Sequence, residues 1–596
     1  MQVHLCQLGS TRRVLAHASA LLVATACASG PQPPATGGFA MQVSALAASC
    51  GSASTNSPLG EIRGFKLLVR DENQNLVTPP LDLPFAAGSK SITFTNIPAG
   101  SPRDVTLLAF GSGAAPTYFA RKAGLTINKL ETQQVDVTLM ASEGFTCVGP
   151  EGGFPINAFP VATRIAGDKI LLTGGFTEVV PDGLDLQLKS PTRQAWVFDP
   201  ARGTFTDVGQ TLVARAGHSA VYLTKSNKIL IVGGANQMRL KADGSAPPAW
   251  KPEDKVDPKW EVCSFGADNK LACSTDATQQ SLLLPRVMPN LMLLTADYVI
   301  VAGGAPWPST DNGGYRAAEL FDPSIPSQVD GGKGSFAALP PNAIAANGVR
   351  SGAAVAAFTQ LTETNTQHYL IWGGNEPFGG SGTAKVVESL RESSDLGSAY
   401  FKDQYALQNP DGTPLTEYQD AGGALFFSTL SALGPATLES GETVERFAAI
   451  GGIRHNGTAW VKPQKDDAYL LTVSDKRNVI TIQKMAGQLA DGVYLHAATS
   501  TGGHIVVSGG FSAIKGAAAT LTDFAPDPSN PLGPLVGSVP AAAKSFVPRG
   551  AAASWKLSND CILLYGGVAD FEDLKATGTE HALGASDVYC PGFLAQ

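Results

Sequence analysis

Short apolar runs that end in a pair of glycines recur along this chain. The first run is Ile170-Leu171-Leu172-Thr173, and Gly174 and Gly175 follow it directly. Such runs are too short for a helix, and their content of Ile, Leu and Val favours buried β-strands. Two glycines allow a turn and a close approach of neighbouring backbone. The seven pairs are Gly174-Gly175, Gly233-Gly234, Gly303-Gly304, Gly373-Gly374, Gly451-Gly452, Gly509-Gly510 and Gly566-Gly567.

The spacing of these pairs predicts a repeated structural unit. Successive pairs lie 59, 70, 70, 78, 58 and 57 residues apart, which indicates stacked supersecondary modules. Several pairs are preceded by a strand of small residues that opens with arginine. These arginines are Arg215, Arg286, Arg350 and Arg549. After some pairs a third strand ends in Phe-Asp-Pro, at residues 198–200 and 321–323.

Together these features resemble the kelch repeat of β-propellers. The clearest first strand reads Arg-Ala-Gly-His-Ser-Ala at residues 215–220. The resemblance implies that residues 143–596 form a seven-bladed propeller with four strands in each blade. All the repeats exceed the kelch period of about 50 residues, and most lack the usual Tyr and Trp after the pair. The surplus lies in loops, notably 235–283 and 375–420.

The last repeat is short of strands. After Gly567 only one clear strand remains, at residues 586–590. A missing fourth strand would leave an unpaired sheet edge, which is unfavourable. Residues 143–149 lie just before the first repeat, and we expect them to supply that strand and close the ring.

The region before the repeats has a different pattern. Residues 39–142 contain short runs of period two, such as 92–97 and 135–139, separated by turn clusters. About seven strands in this length predict a small β-sandwich of immunoglobulin or transthyretin kind. Residues 28–38 are rich in Pro and Gly and are predicted to be a linker.

The first 27 residues resemble a bacterial lipoprotein signal. Arg12 and Arg13 precede an apolar run from Val14 to Ala26, and Cys27 follows. The resemblance implies cleavage, a lipid on Cys27 and an outer-membrane anchor, on the periplasmic or the surface side. An ordinary secretory signal that is cut near residue 30 is the alternative. Either segment is excluded from the fold.

Composition narrows the class of partner. The net charge is −8 with no basic stripe, so nucleic acid is not an expected partner. Beyond the signal no apolar run approaches the roughly 18 residues of a membrane span. We therefore expect membrane contact through the N-terminal lipid only, and a monomer.

Export makes disulfides the expected state of the remaining cysteines. Cys263 and Cys273 would close a short loop, and Cys561 and Cys590 would join two strands of a hairpin. Cys50 and Cys147 would then bracket the N-terminal module. A Cys147–Cys590 bond is the competing choice. A metal site is disfavoured because no C-x-x-C or clustered His accompanies these residues.

The kelch resemblance also brings galactose-oxidase-like enzymes into consideration. Those enzymes hold copper between two His and two Tyr, one of which is crosslinked to Cys. His218 and His496 occupy related points of two first strands, which a repeated core position also explains. If all six cysteines are paired, none is free for the crosslink. We therefore predict no cofactor and no catalytic residue, and keep copper oxidation as the alternative.

The arginines are the leading candidates for ligand binding. Arg215, Arg286, Arg350 and Arg549 would gather on one face of a propeller, where a guanidinium group suits carboxylate ligands. The structural alternative is that each arginine bonds loop carbonyls of the next blade. Trp307 is a further candidate for stacking on a sugar or a partner. The sequence thus predicts a binding or scaffold module for a cell-envelope protein or glycan.

Overall fold

The structure is a computed structural model. It describes residues 35–45, 58–73, 75–85, 90–148, 157–182, 185–241, 243–246, 248–249, 254, 256, 259–275, 285–304, 318–324, 335–338, 352–359, 366–374, 387–392, 399–402, 405–415, 425–455, 460–512, 516–517, 521–541, 548–568 and 586–591. This part of the chain is all-β apart from single 3-10 turns at Pro58–Gly60 and Ala166–Asp168. None of its helices is long and apolar enough to cross a membrane.

The first seven strands form one sheet. Numbered in chain order, they are β1 (Thr36–Ala45), β2 (Gly64–Arg70), β3 (Leu81–Pro84), β4 (Ser91–Pro98), β5 (Gly100–Phe110), β6 (Pro116–Ile127) and β7 (Thr132–Ala141). Their order in the sheet is β3-β2-β5-β6-β7-β1-β4, with β1 and β7 parallel. Only two residue pairs join β6 to β7, and side chains from both halves of the sheet share one apolar core.

This N-terminal sheet begins earlier than the sequence indicated. The predicted linker reached residue 38, whereas β1 starts at Thr36. The reason is pairing by the backbone, since Thr36 lies opposite Pro98 and Gly38 lies opposite Thr132. Glycines without apolar side chains can still form a ladder.

Seven larger sheets follow, one for each glycine pair. Sheet 1 contains β9 (Val161–Arg164), β10 (Ile170–Thr173), β13 (Gln194–Asp199) and β14 (Thr204–Gln210). Sheet 2 contains β15 (Ser219–Leu223), β16 (Lys228–Val232), β18 (Trp260–Phe265) and β19 (Leu271–Ser274). Sheet 3 contains β20 (Asn290–Leu293), β21 (Val299–Ala302), β22 (Glu319–Asp322) and β23 (Ser335–Ala338). Sheet 4 contains β24 (Ala354–Ala357), β25 (His368–Trp372), β26 (Val387–Glu392) and β27 (Ala399–Lys402).

The remaining three sheets vary this plan. Sheet 5 contains β30 (Thr429–Thr437), β31 (Thr443–Ile450), β34 (Ala468–Ser474), β35 (Val479–Lys484) and, parallel to β35, β28 (Ala406–Gln408). Sheet 6 contains β37 (Ala497–Thr501), β38 (His504–Ser508), β41 (Leu521–Ala525) and β42 (Val536–Ser538). Sheet 7 contains β43 (Ala553–Lys556), β44 (Ile562–Tyr565), β45 (Ser586–Cys590) and β8 (Gly144–Cys147). The expectation of four strands per sheet is therefore wrong for sheet 5, whose outer edge pairs with a segment of the preceding insertion.

Three small sheets accompany the seven. The first contains β11 (Phe176–Asp182), β12 (Asp185–Pro191) and β17 (Met238–Lys241). The second contains β29 (Leu425–Phe426), β32 (Ile453–His455) and β33 (Trp460–Val461), and the third β36 (Val493–Tyr494), β39 (Phe511–Ser512) and β40 (Gly516–Ala517). Four of these strands, β11, β17, β32 and β39, begin within four residues after a glycine pair.

The seven sheets are joined in a cycle. The first strand of every sheet contacts the first strand of the next, and β43 of sheet 7 contacts β9 of sheet 1. Sheet 7 is completed by β8, with Cys147 opposite Asp587 and Thr146 opposite Val588. This confirms that residues from 143–149 supply the missing strand. The chain thus closes the last sheet with a strand that precedes the first.

Two disulfides follow the predicted pairing. Cys263 and Cys273 lie opposite each other on β18 and β19, and Cys561 is bonded to Cys590. The second bond excludes Cys147–Cys590. Cys147 is itself disulfide-bonded, but Cys50 lies outside the described residues, so the Cys50–Cys147 bond stays a prediction.

The N-terminal sheet packs against one end of the ring. We call this the turn end, because it carries turns between first and second strands, such as 557–561. Arg121 on β6 forms ion pairs with Asp104 and with Asp560 of sheet 7, and Thr138 on β7 donates a 2.9 Å hydrogen bond to the carbonyl of Ala201 in sheet 1. The opposite end, where the glycine pairs lie, we call the glycine-pair end.

Candidate functional site

In the described part of the chain, six glycine pairs are hydrogen-bonded to the segment just before the next sheet. The second glycine donates its N–H to the carbonyl of the residue four positions before that sheet's first strand. Gly175 donates to Arg215 over 2.9 Å. Gly567 donates to Asn157 over 2.8 Å, and this bond links sheet 7 to the segment before sheet 1. The other described bonds are Gly234 to Arg286, Gly374 to Leu425, Gly452 to Val493 and Gly510 to Arg549.

The geometry explains why glycine is needed here. All fourteen glycines of the seven pairs have positive φ, which other L-residues rarely adopt. A Cβ on Gly174 would also collide with the carbonyl oxygen of Arg215, and one on Gly509 with that of Arg549. The close approach of backbone that the sequence indicated is therefore confirmed.

A second set of backbone bonds lies beside the first strands. The residue two positions before the first strand of each sheet is left-handed, with φ between 50° and 69°. These residues are Phe159, Gly217, Met288, Gly352, Phe427, Leu495 and Ala551. Five of these residues donate their N–H to a carbonyl of the same set in the neighbouring sheet, as from Met288 to Gly217 at 2.6 Å and from Phe159 to Ala551 at 3.0 Å.

Apolar side chains fill the same end of the ring. In five sheets the residue after the glycine pair forms a short bridge with the residue just before the left-handed position. The pairs are Ala158–Phe176, Ala216–Ala235, Phe426–Ile453, Tyr494–Phe511 and Gly550–Val568. All of these except Gly550 belong to one buried cluster, the hub cluster, which also includes Val287 and Met238.

The first small sheet packs on the hub cluster through Val179, Leu186 and Leu240. It also reaches across to distant sheets. Tyr494 donates its hydroxyl hydrogen bond to the carbonyl of Lys241, and Lys462 pairs with Asp243 at 2.8 Å. Among the described residues, the glycine-pair end is therefore covered by packed segments.

The predicted ligand-binding arginines are buried at this end. Arg215 is fully buried; it donates to the carbonyl of Gly233 over 2.5 Å and pairs with Glu261 at 2.9 Å. Burial lowers the pKa of Arg215 and raises that of Glu261, and each charge opposes the other's shift. The two opposite charges therefore lie against each other within one sheet.

The other two described arginines repeat this arrangement. Arg286 donates to the carbonyl of Gly303 over 2.7 Å and lies 3.4 Å from Glu319. Arg549 lies 2.5 Å from Asp587. Each of these guanidinium groups is thus buried against a carboxylate of its own sheet, which favours a structural role, and the binding of a ligand by Arg215, Arg286 and Arg549 stays a prediction. Arg350 and Trp307 lie outside the described residues.

The acidic partners of these arginines were missed by sequence reasoning, although they occupy a repeated position in the chain. Glu261, Glu319 and Asp587 all stand on third strands, each opposite the residue two positions before its glycine pair. In sheet 4, whose first strand begins four residues after Arg350 in the sequence, that position holds Glu388. In sheets 1, 5 and 6, which lack the arginine, it holds Trp196, Tyr469 and Thr522. Arginine and acid thus occur together or not at all.

The two histidines of the first strands are core residues. His218 lies 2.9 Å from the hydroxyl of Thr173, and His496 lies 3.0 Å from that of Thr429. Burial holds the pKa of His218 well below its usual value and lowers that of His496 to about 3. Both imidazoles are neutral at pH 7 and join adjacent sheets.

The described residues offer little to a copper oxidase. Their five cysteines are all disulfide-bonded, so none can form a Tyr–Cys crosslink. The one group of three potential metal ligands in this part of the chain is Glu261, Cys263 and Cys273. Because both sulfurs form a disulfide and Glu261 is paired with Arg215, this group is not a metal site.

Comparisons with known proteins add no family. No family model matches the chain, and no curated protein is significantly similar to it.

Proposed function

We propose that the seven sheets form a seven-bladed, kelch-like β-propeller. The first strands contact one another in a cycle that returns from β43 to β9. The bond from Gly567 to Asn157 and the pairing of β8 with β45 link the last sheet to the beginning of the ring. Each sheet would be one blade, and the axis would pass between the first strands.

We also propose that the protein is exported and held at the outer membrane by a lipid on Cys27. The N-terminal segment resembles a lipoprotein signal, although residues 1–34 lie outside the described part of the chain. The Cys263–Cys273 and Cys561–Cys590 bonds agree with an oxidising compartment.

The function that this arrangement supports best is binding: a scaffold for a cell-envelope protein or glycan. The observation behind it is that the two ends of the ring carry different structures. The N-terminal sheet occupies the turn end of sheets 1 and 7, whereas insertions build small sheets at the glycine-pair end. Segments inserted on a rigid scaffold are where binding residues concentrate. We assign the ligand to the outer surface of these small sheets.

Charge reversal on each end tests this assignment. Arg239 and Lys462 have side chains that are 57% and 43% exposed at the glycine-pair end. Arg164 and Arg202, 58% and 65% exposed in sheet 1, provide a matched pair at the turn end. The basic side chain of each ion pair is exposed, so each double change to Glu should cost no more than about 1 kcal/mol of folding free energy for each pair that it breaks.

The assay is capture of purified peptidoglycan or of detergent-solubilised outer-membrane proteins from the producing cell. We expect several-fold weaker capture after Arg239→Glu with Lys462→Glu, and no change after Arg164→Glu with Arg202→Glu. Equal effects of the two pairs would contradict the assigned surface. If the unaltered protein captures neither material, or purifies with about one equivalent of copper, the binding function itself is contradicted.

A further inference from the structure

The turn between β6 and β7 carries the most exposed large apolar side chain among the described residues. Leu130 is 93% exposed at the tip of this turn, between Lys129 and Glu131. Its φ of 59° is left-handed, a conformation that favours Gly, Asn or Asp over leucine. Neither solubility nor turn geometry calls for leucine here, and such an outlier points to a role outside folding.

This tip lies where the chain enters the N-terminal sheet. The N–H of Leu130 donates to the carbonyl of Thr36 over 2.8 Å, and the N–H of Gly38 donates to the carbonyl of Glu131 over 2.8 Å. Thr36 follows Cys27 by nine residues, which reach about 30 Å when fully extended. A lipid on Cys27 would therefore keep Thr36, and with it the tip, within reach of the bilayer surface.

The tip also projects away from the ring. Arg121, which pairs with sheet 7, lies on β6 six residues before the strand ends at Ile127. At about 3.3 Å per residue, this places the end of β6 roughly 20 Å beyond that contact. Leu76, which is 43% exposed, follows β2 at the same end, because Arg70 lies opposite Asp104 and Gly100 lies opposite Ile127.

We propose that this end of the N-terminal sheet contacts the lipid bilayer, with Leu130 entering the boundary between headgroups and acyl chains and Lys129 facing lipid phosphates. The inference rests on the proposed lipidation of Cys27. One leucine binds a bilayer weakly, but a lipid anchor makes the contact intramolecular, so a small gain is enough to orient the protein. The N-terminal sheet then spaces the ring from the membrane.

A fluorescent label tests the contact in the full-length lipidated protein. Leu130→Cys carries an environment-sensitive dye under non-reducing conditions, and Val539→Cys, at a site 59% exposed in the ring, is the matched control. Both proteins are reconstituted in vesicles of phosphatidylethanolamine and phosphatidylglycerol with nitroxide groups on the acyl chains. We expect a blue shift and several-fold stronger quenching at residue 130 than at residue 539.

Each outcome separates the contact from the anchor. Equal quenching at both sites, with the lipid on Cys27 verified by mass spectrometry, would overturn the contact and leave the anchor standing. A missing lipid mass would overturn both. A blue shift at residue 130 that grows with protein concentration and is not quenched would assign the tip to a second copy of the chain and also overturn the proposal.

A second variant gives an independent readout. Leu130→Asn should leave the melting temperature in detergent unchanged, because the side chain is exposed and Asn suits left-handed backbone. On vesicles it should shorten the rotational correlation time of the tethered protein, measured by time-resolved anisotropy of a dye at residue 539. An unchanged anisotropy decay would contradict the inference.

Discussion

The two ends of the ring join neighbouring sheets in different ways. At the glycine-pair end the joints are backbone bonds, such as that from Gly175 to the carbonyl of Arg215, and they repeat from sheet to sheet. At the turn end several of the joints are carboxylates. Glu392 of sheet 4 accepts the N–H of Thr295 in sheet 3 at 3.1 Å, and Glu445 of sheet 5 accepts that of Thr359 in sheet 4 at 2.9 Å.

Both kinds of bond join neighbouring sheets, but only the backbone bonds produce a repeated pattern in the sequence. A backbone joint needs one conformation and one residue type, so it marks every repeat with the same glycines. A side-chain joint needs only a carboxylate within reach of a turn. Glu392 ends the third strand of its sheet, whereas Glu445 stands early in a second strand, so no common spacing reveals them. The predictions below test whether substitutions at the two ends also differ in their effect on the unfolding free energy.

The largest effect is expected from a glycine of the repeated joint. Gly174→Ala would place a Cβ against the carbonyl oxygen of Arg215 and strain a left-handed residue. We expect a loss above about 5 kcal/mol of unfolding free energy, the extreme of single substitutions, measured by urea denaturation.

The matched control is Gly167→Ala at the turn end. Gly167 has φ 72°, but an added Cβ would meet no atom within 4 Å. Its cost should be the backbone strain alone, about 1 to 2 kcal/mol. Similar losses for both variants would show that the close approach at Gly174 is not a constraint.

The next largest effect should come from the buried ion pairs of the glycine-pair end. Arg215→Met leaves Glu261 buried without its partner, which typically costs about 3–5 kcal/mol. The double change Arg215→Met with Glu261→Gln removes the stranded charge and should recover more than half of the loss. If the double variant is as unstable as Arg215→Met alone, the buried charge of Glu261 is not the cause of the lost stability. Arg164→Met, in an exposed pair, should cost less than about 1 kcal/mol.

A smaller effect is expected at the turn end. Glu392→Ala leaves the N–H groups of Thr295 and Gln367 without their acceptor, but water can replace it at a half-buried turn. We expect a loss of roughly 2 kcal/mol by urea denaturation. A loss equal to that of Gly174→Ala would remove the contrast between the two ends.

The mildest effect is a dependence on pH. The pKa of His496 is about 3 in the folded protein and about 6.5 when unfolded, so between these values the unfolded chain binds the extra proton. Stability contributed by a neutral His496 is therefore present above pH 6.5 and falls by up to about 1.4 kcal/mol per pH unit below it.

His496→Gln should flatten this decline between pH 6.5 and 5, as followed by urea denaturation at several pH values. His504→Gln provides the control, since His504 lies beside Asp523 and its side chain is 17% exposed, whereas His496 is buried. An unchanged pH slope in the His496 variant would contradict burial as the source of its low pKa.

The sequence predicted the parts of the fold that depend on backbone geometry. The second strands ended where Gly174 and its equivalents indicated, and residues 144–147 completed sheet 7 as expected. The Cys263–Cys273 disulfide was predicted because it closes a short loop, and the Cys561–Cys590 disulfide because its partners lie on two strands of a predicted hairpin. The small sheets were not foreseen; in two of them the strands have only two or three residues and show no periodicity.

The candidate site was predicted less well. The arginines were recognised as a repeated feature, but their environment depends on acids 33 to 46 residues further along the chain. Arg215 looks like a ligand-binding residue until Glu261 is placed beside it. Nothing local to an arginine shows whether its guanidinium group faces solvent or a carboxylate of its own sheet.

The closure of the ring is the claim on which the rest depends, and hydrogen exchange followed by mass spectrometry tests it directly. In the full-length protein, amides of β8 and β45 should exchange as slowly as those of β31 in sheet 5, because all lie in one closed ring. Exchange of β8 and β45 within seconds, while β31 stays protected, would show that the two chain segments do not pair and would contradict the closed ring.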